Sequence, residues 1–350
     1  MAAKSKESAP KQLDFETHLE LKQVAPDVFT NVHEPWVFHV TNSYPGPLMM
    51  AQAAAAAWKT VPDGFMLDSL QTHFMLAPNP QKPLMYKVQR IGNGRRFAVR
   101  IVNIAQDEKV CVTTTTSFVN DAPWSGRAMT HVVPMRIDRR KREINLDDFE
   151  LMRTSRGPFM KFERLPHVHE GKFQAVDGGS GDAHGLLLDP KNPATSMAPT
   201  VAQIDPAISS PRGTAAHILG VIHLSDYHVM DCPLSIHGVP HGVWRIGDQT
   251  KTPIPTTMKI MTSLNHTIHF HTHDGFRADE LLYIEVTSPW AKDGRAMINS
   301  RIFSKQGMLI ATVIQEVRTE QLASYHNSFP PANGREQAFY VFKEDASAKL

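Results

Sequence analysis

A chain of 350 residues, 41% hydrophobic and 21% charged, has the make-up of a soluble globular protein with room for two domains of ordinary size. Its net charge of +2 is too small to argue for a nucleic-acid surface, and no apolar stretch approaches the ~18 residues needed to span a bilayer. Two cysteines, Cys111 and Cys232, exclude a disulfide framework and point to a reducing compartment.

In chain order, residues 1–18 begin with a Lys-, Ser- and Ala-rich lead-in that lacks an apolar core and is expected to be disordered. A first unit, residues 19–120, opens with short strands at Val28–Asn31 and Trp36–Val40. The Pro/Gly turn Tyr44-Pro-Gly-Pro47 then starts an Ala-rich helix, Leu48–Lys59. A helix that is apolar on nearly every side has to be buried. Strands follow at Met66–Leu76, Leu84–Ile91, Arg96–Ala105 and Val110–Val119, with turns at Asn93-Gly94 and Gln106-Asp107. Cys111, in a β-branched strand, reads as a packed small hydrophobe.

Residues 121–212, rich in Pro, Gly and charge, read as a linker or insertion. Its basic run Arg136–Arg142 has Asp138, Glu143, Asp147 and Asp148 close by, which favours a solvated face over a nucleic-acid signal. A second unit, residues 213–325, then repeats the order of the first: a helix, Ala215–Val229, and strands at Met258–His271, Leu281–Ser288, Arg295–Ser304 and Met308–Val317. Local words recur at an offset of roughly 200 residues. Ser69-Leu-Gln71 parallels Ser263-Leu-Asn265, Asn93-Gly-Arg95 parallels Asp293-Gly-Arg295, and Lys109–Phe118 parallels Met308–Val317. The expected class is α+β, with two antiparallel sheets that each wrap a long helix and join into one continuous sheet. Residues 326–350 form a tail ending in Ala348-Lys349-Leu350, a close variant of the Ser-Lys-Leu peroxisomal address. Peroxisomal location and an import receptor as partner are the expectations.

Several words of both units stand out. In the first unit these are Thr72-His-Phe-Met-Leu76 and Gly94-Arg-Arg-Phe97 leading to Arg100-Ile-Val102. In the second they are Ser263-Leu-Asn-His-Thr-Ile-His-Phe-His271, Phe276-Arg-Ala-Asp-Glu-Leu-Leu-Tyr283, Ser288-Pro-Trp-Ala291 and Val313-Ile-Gln-Glu316. Together these words resemble the type II acyl-CoA thioesterases, the double hotdog enzymes of bacteria and peroxisomes. The resemblance implies the double hotdog fold and hydrolysis of fatty acyl-CoA to free acid and CoA. It places the catalytic Asp at Asp226, the catalytic Ser or Thr at Ser263 and the catalytic Gln at Gln315. Three positions depart from the family pattern: Asn265 replaces an Asp, Pro47 replaces the second Gly of a pair, and Val317 replaces a Gly.

Those residue types suit the reaction. Water is a poor nucleophile and needs a base within hydrogen-bond reach, a role for Asp226. A partly buried carboxylate has its pKa raised towards neutrality. Gln315, both donor and acceptor, can orient the water, and Ser263 can complete the triangle. The developing oxyanion needs donors, for which the N–H groups at a helix start are the expected source. Neither cofactor nor metal is required.

Other chemistries suit the residues less well. His269, His271 and His273 alternate along one strand with His266 nearby, but i, i+2 positions on a strand converge poorly on a metal, so packing is the better account. Ser263 lacks the Gly-x-Ser-x-Gly context of a nucleophile elbow. A hotdog hydratase or dehydratase remains an alternative through His223 and His228 near Asp226, as does a non-catalytic acyl-CoA binder through Asn265 and Pro47. Homo-oligomerisation is a further expectation, since hotdog sheets commonly pair.

Overall fold

The computed structural model describes residues 14–35, 44–120, 129–135, 159–164, 168–169, 172–173, 193–209, 213–226, 229–237 and 258–321. The expected strand Trp36–Val40, the basic run Arg136–Arg142, His228 and the closing Ala348–Leu350 lie outside the described residues.

The first unit opens with a helical turn, α1 (Phe15–His18), within the stretch expected to be disordered. Asp14 caps it by accepting from Glu16 N, and Phe15 is fully buried, so local capping and tertiary burial together order this turn. Then come β1 (Leu21–Ala25), β2 (Val28–Asn31), α2 (Gly46–Trp58), β3 (Met66–Phe74), β4 (Met85–Asn93), β5 (Phe97–Gln106) and β6 (Lys109–Val119). Helix α2 begins at Gly46, two residues before the expected Leu48, because Pro45 sits extended as the cap and Pro47 occupies the first turn, where no N–H is needed. Every residue from Pro47 to Ala57 is buried. Gln52 is the polar exception, and it is satisfied: its Nε2 donates to His18 O at 2.7 Å and its Oε1 accepts from Tyr86 Oη. The short alanines let strands and a second helix approach closely, while Leu48, Met49 and Met50 each contribute about 1.5–3 kcal/mol by burial.

The region read as linker carries structure of its own. It holds β7 (Met160–Arg164), β8 (Val168–His169), β9 (Lys172–Phe173), β10 (Ser196–Met197) and β11 (Thr200–Ile204). Strand β11 is buried at Thr200, Val201, Ala202 and Ile204, so the Pro- and Gly-rich surroundings hide a core strand. The second unit proper is α3 (Gly213–Leu224), α4 (Cys232–Ile236), β12 (Met258–Phe270), β13 (Leu282–Lys292), β14 (Arg295–Phe303) and β15 (Leu309–Gln321). Helix α3 stops at Leu224, short of the expected Val229, and Asp226 lies in the turn beyond it.

All pairings among the described strands are antiparallel, and they form one sheet in the order β1-β2-β4-β5-β6-β3-β12-β15-β14-β13-β10-β8-β9, with β11 and β7 branching from β13. Outward from the centre the two halves repeat: β3, β6, β5, β4 on one side and β12, β15, β14, β13 on the other. The units join through β3 and β12, with Asn265 opposite His73 and His269 opposite Ser69, so neither leaves that edge open. Helices α2 and α3 pack against each other inside. The two units share one continuous hydrophobic core. This is a double hotdog.

Candidate active site

Asp226, Ser263 and Gln315 converge, and each arrives for a separate local reason. Asp226 follows α3, in a turn whose Ser225 hydroxyl lies 2.8 Å from Ile222 O and whose Ser225 N–H donates to the same oxygen at 3.3 Å. Ser263 lies on β12 at a bulge: Ser263 stands opposite Val317 and Asn265 opposite Glu316, leaving Leu264 as the extra residue. Gln315 lies on the neighbouring β15, diagonal to Ser263 and directly opposite His266. Ser263 Oγ donates to Asp226 Oδ1 at 3.2 Å, and Gln315 Nε2 donates both to Ser263 Oγ at 2.7 Å and to Asp226 Oδ1. Met230 Sδ is 3.1 Å from Ser263 Oγ and walls that side.

All three side chains are buried, with Asp226 2% exposed, Ser263 8% and Gln315 0%. Removal from water pushes the Asp226 carboxyl up from 3.8 to about 6, although the bonds from Gln315 and Ser263 pull the other way. A carboxylate with that value is a serviceable proton acceptor near neutrality.

Two further groups complete the setting. The start of α2, from the first unit, approaches Asp226: a methyl group on Gly46 would stand 3.3 Å from Asp226 Oδ2 and 3.4 Å from the Phe74 ring. The site therefore lies at the junction of the two units. His266 is completely buried, with Nε2 2.9 Å from Ser225 Oγ and Nδ1 3.9 Å from Asp226 Oδ1. Burial holds this imidazole down at about 3, so the ring is neutral at any ordinary pH. Neither neighbour stands out in the sequence as a site residue. Gly46 enters there only through the Pro47 departure, and His266 only as one of four strand histidines.

Other singled-out residues lie elsewhere. Asn265 donates to Glu316 Oε2 at 3.1 Å, and Arg295 binds the other oxygen of Glu316 at 3.0 Å, so an Asn suits this spot better than a second carboxylate. Val317 is buried opposite Ser263 and Ala296. His269 and His271 are exposed, and His273 Nε2 lies 3.0 Å from Leu67 O. His223 packs against the rings of Phe15 and Phe159. Among the described residues no group of three or more His, Cys, Asp or Glu is arranged to hold a metal ion.

Among the described residues the first unit has no counterpart of this cluster. Strand β3 carries a bulge between Leu67 and Ser69, matching the bulge of β12 between Ser263 and Asn265. That register puts Leu67, not Ser69, in the place of Ser263, and Leu70 and Thr116 in the places of His266 and Gln315. Thr60 follows α2 as Asp226 follows α3. Beside it, Arg100 is fully buried and all five of its N–H groups meet neutral acceptors: Thr60 Oγ1, Thr60 O, Gly92 O, Val99 O and Asn93 Oδ1, at 2.7–2.9 Å. A guanidinium anchors this corner where the second unit keeps a carboxylate.

Comparison with known proteins identifies the family and agrees with the fold. Residues 34–119 match the model of the acyl-CoA thioesterase N-terminal domain, and residues 188–319 match that of the acyl-CoA thioesterase C-terminal domain. The chain is 26% identical over 312 residues to acyl-coenzyme A thioesterase 8 of Mus musculus, covering 85% of this chain and 86% of the mouse protein. It is 21% identical to the peroxisomal acyl-coenzyme A thioester hydrolase 1 of Saccharomyces cerevisiae, covering 87% of this chain and 93% of the yeast protein. Among solved structures, the acyl-CoA thioesterase II TesB2 from Mycobacterium marinum superposes with a TM-score of 0.63 at 21% identity. The match spans 89% of this chain and 100% of that one, and supports the shared fold.

Proposed function

Since this chain belongs to the acyl-CoA thioesterase family and is thus a thioester hydrolase, we propose that it cleaves fatty acyl-CoA to free acid and CoA with a water activated by Asp226, Ser263 and Gln315. The observation that carries the proposal is the shared acceptor, Asp226 Oδ1, which takes hydrogen bonds from both Ser263 and Gln315 in a buried setting. Asp226 removes a proton from the water as its oxygen attacks the thioester carbonyl carbon. The carbonyl becomes an oxyanion beside the start of α2, where Pro47 lacks an N–H and those of Gly46 and Leu48 are the candidate donors. Collapse of the tetrahedral intermediate breaks the carbon–sulfur bond, and the proton on Asp226 is available to the departing CoA thiolate.

Thiol release from acyl-CoA is the direct assay. Replacing Asp226 by Asn is expected to lower kcat by about 10³-fold while leaving the fold intact. An undiminished rate rules the base out. The same assay separates hydrolysis from hydration of a thioester-bound chain, which releases no thiol, and from binding without turnover.

Peroxisomal placement and recognition by an import receptor belong to the same proposal. They are supported by Ala348-Lys349-Leu350 and by the name of the yeast relative. A fluorescent fusion with that tripeptide exposed should become particulate in cells, and one ending in Ala348-Lys349-Asp should stay diffuse. A homo-oligomer is likewise proposed, and sedimentation of the full chain reads it directly.

A further inference from the structure

His266 lies outside the proposed triad, yet it pairs directly with one of its members. His266 and Gln315 are direct partners on adjacent antiparallel strands, with both side chains fully buried. Among the described residues, two atoms of this pair have no hydrogen-bond partner, His266 Nδ1 and Gln315 Oε1. The other atoms are committed. Gln315 Nε2 gives its two hydrogens to Asp226 and Ser263, and His266 Nε2 lies 2.9 Å from Ser225 Oγ.

The single hydrogen of Ser225 decides what the ring can do. If Ser225 donates to Ile222 O, then His266 must donate from Nε2. Nδ1 is then a bare lone pair and Gln315 Oε1 a bare carboxamide oxygen, two buried acceptors on paired residues with no donor for either. If Ser225 donates instead to His266 Nε2, the ring proton moves to Nδ1, the ring atom otherwise without a partner. Ile222 O loses little, because it still accepts the N–H of Ser225. The second arrangement leaves no group orphaned.

We infer that His266 is a positioning residue: it carries its proton on Nδ1, donates to Gln315 Oε1, and so holds the carboxamide with its NH2 turned to Asp226 and Ser263. Donors then run in one direction, Ser225 to His266 to Gln315 to Asp226, and each bond polarises the next. A flipped carboxamide would put two oxygens, those of Gln315 and Asp226, against each other. The inference rests on the triad proposed above and adds the part that fixes one member's orientation.

The tautomer can be read without turnover. In full-length protein labelled with 15N-histidine, the His266 resonances, assigned by their loss in His266→Asn, should show a protonated Nδ1 and a bare Nε2. The reverse assignment overturns the inference. Kinetics give a second reading. His266→Leu keeps the bulk and loses the donor, whereas His266→Asn loses bulk and places an amide N–H where Nδ1 stood. For a positioning role His266→Leu should lose about 30-fold in kcat with KM within about twofold, and His266→Asn should stay within about fivefold of the parent kcat. A packing role gives the opposite order, because Asn leaves a cavity, and that order also overturns the inference. Asp226→Asn is measured alongside. If it retains turnover the triad itself fails, whereas an inactive Asp226→Asn with the wrong His266 tautomer removes only the role assigned here.

Discussion

At the scale of single residues, the behaviour of this chain turns on burying a carboxylate that has hydrogen-bond donors but, among the described residues, no cation within bonding distance. The rise of the Asp226 carboxyl from 3.8 to about 6 means the folded protein holds that proton more tightly than the unfolded chain. Its contribution therefore favours folding at low pH, declines as pH rises from about 4 to about 6, and is level above that window. The shift corresponds to roughly 3 kcal/mol of strain at neutral pH. Asp226→Asn should accordingly raise the melting temperature at pH 7.5 even as it abolishes turnover, which differential scanning calorimetry and thiol release can test on one sample. In the parent protein, kcat should climb with pH through about 6 and then flatten. Ser263→Ala or Gln315→Ala withdraws a bond that favours the ionised form, so the residual activity should show its acidic limb at higher pH.

Elements set the tolerances. Helix α3 can approach its neighbours only because residue 220 is glycine: an added methyl would stand 2.7 Å from Ala278 Cβ and 3.1 Å from Ile204 Cγ1. Gly220→Ala should destabilise the protein by about 1–3 kcal/mol, visible in a denaturant titration. Gly46→Ala is a different case. Its methyl would meet Asp226 Oδ2 and Phe74 at 3.3–3.4 Å, so it should reduce kcat by about tenfold or more with little loss of stability. The bulge of β12 matters as much as either helix. Strict alternation would send Ser263 and His266 to opposite faces, and the extra Leu264 brings both inward. Deleting Leu264 should turn Ser263 away from Asp226 and remove activity in a chain that still folds, as circular dichroism and thiol release would show together.

For the whole molecule, two units with one architecture contribute different parts of the proposed site. The second supplies Asp226, Ser263, Gln315 and His266. The first supplies the helix start beside Asp226 and, through β3, covers the inner edge of β12. A truncated chain beginning at residue 188, with the first unit removed, exposes that edge and lacks Gly46 and Phe74. It should aggregate when expressed, and any soluble fraction should be inactive in the thiol assay. Arg100 marks the other side of the asymmetry. With five neutral acceptors around its guanidinium, Arg100→Met should cost about 3 kcal/mol by orphaning buried oxygens, while kcat of the folded fraction stays near the parent value.

Much of this is readable from the chain alone, and for physical reasons. An all-apolar helix can only be an interior helix, and two runs of helix then strands, with recurring words, require two like units whose edges must be covered. The resemblance, carried for Ser263 and Gln315 in Ser263–His271 and Val313–Glu316 and for Asp226 after the Leu219-Gly220 step, points to three residues that the fold then brings within hydrogen-bond distance of one another. What local pattern could not yield depended on partners far away in sequence. Capping and burial of Phe15 order a turn whose flank looks unstructured. Pairing with β13 makes a core strand of Thr200–Ile204 inside a stretch whose composition is that of a linker. One surplus residue in β12 overrides alternation, so periodicity points to His269 and His271 while the buried histidine beside Gln315 is His266. The approach of Gly46 to Asp226 joins residues of separate units, and only the packing of α2 against α3 creates it. Composition, periodicity and recurring words indicate two like α+β units, and the family resemblance points to the chemical types at the proposed site. Which neighbours press on those groups, and hence how strongly they hold a proton, was decided by tertiary packing, because burial and hydrogen-bond direction exist only once distant segments meet.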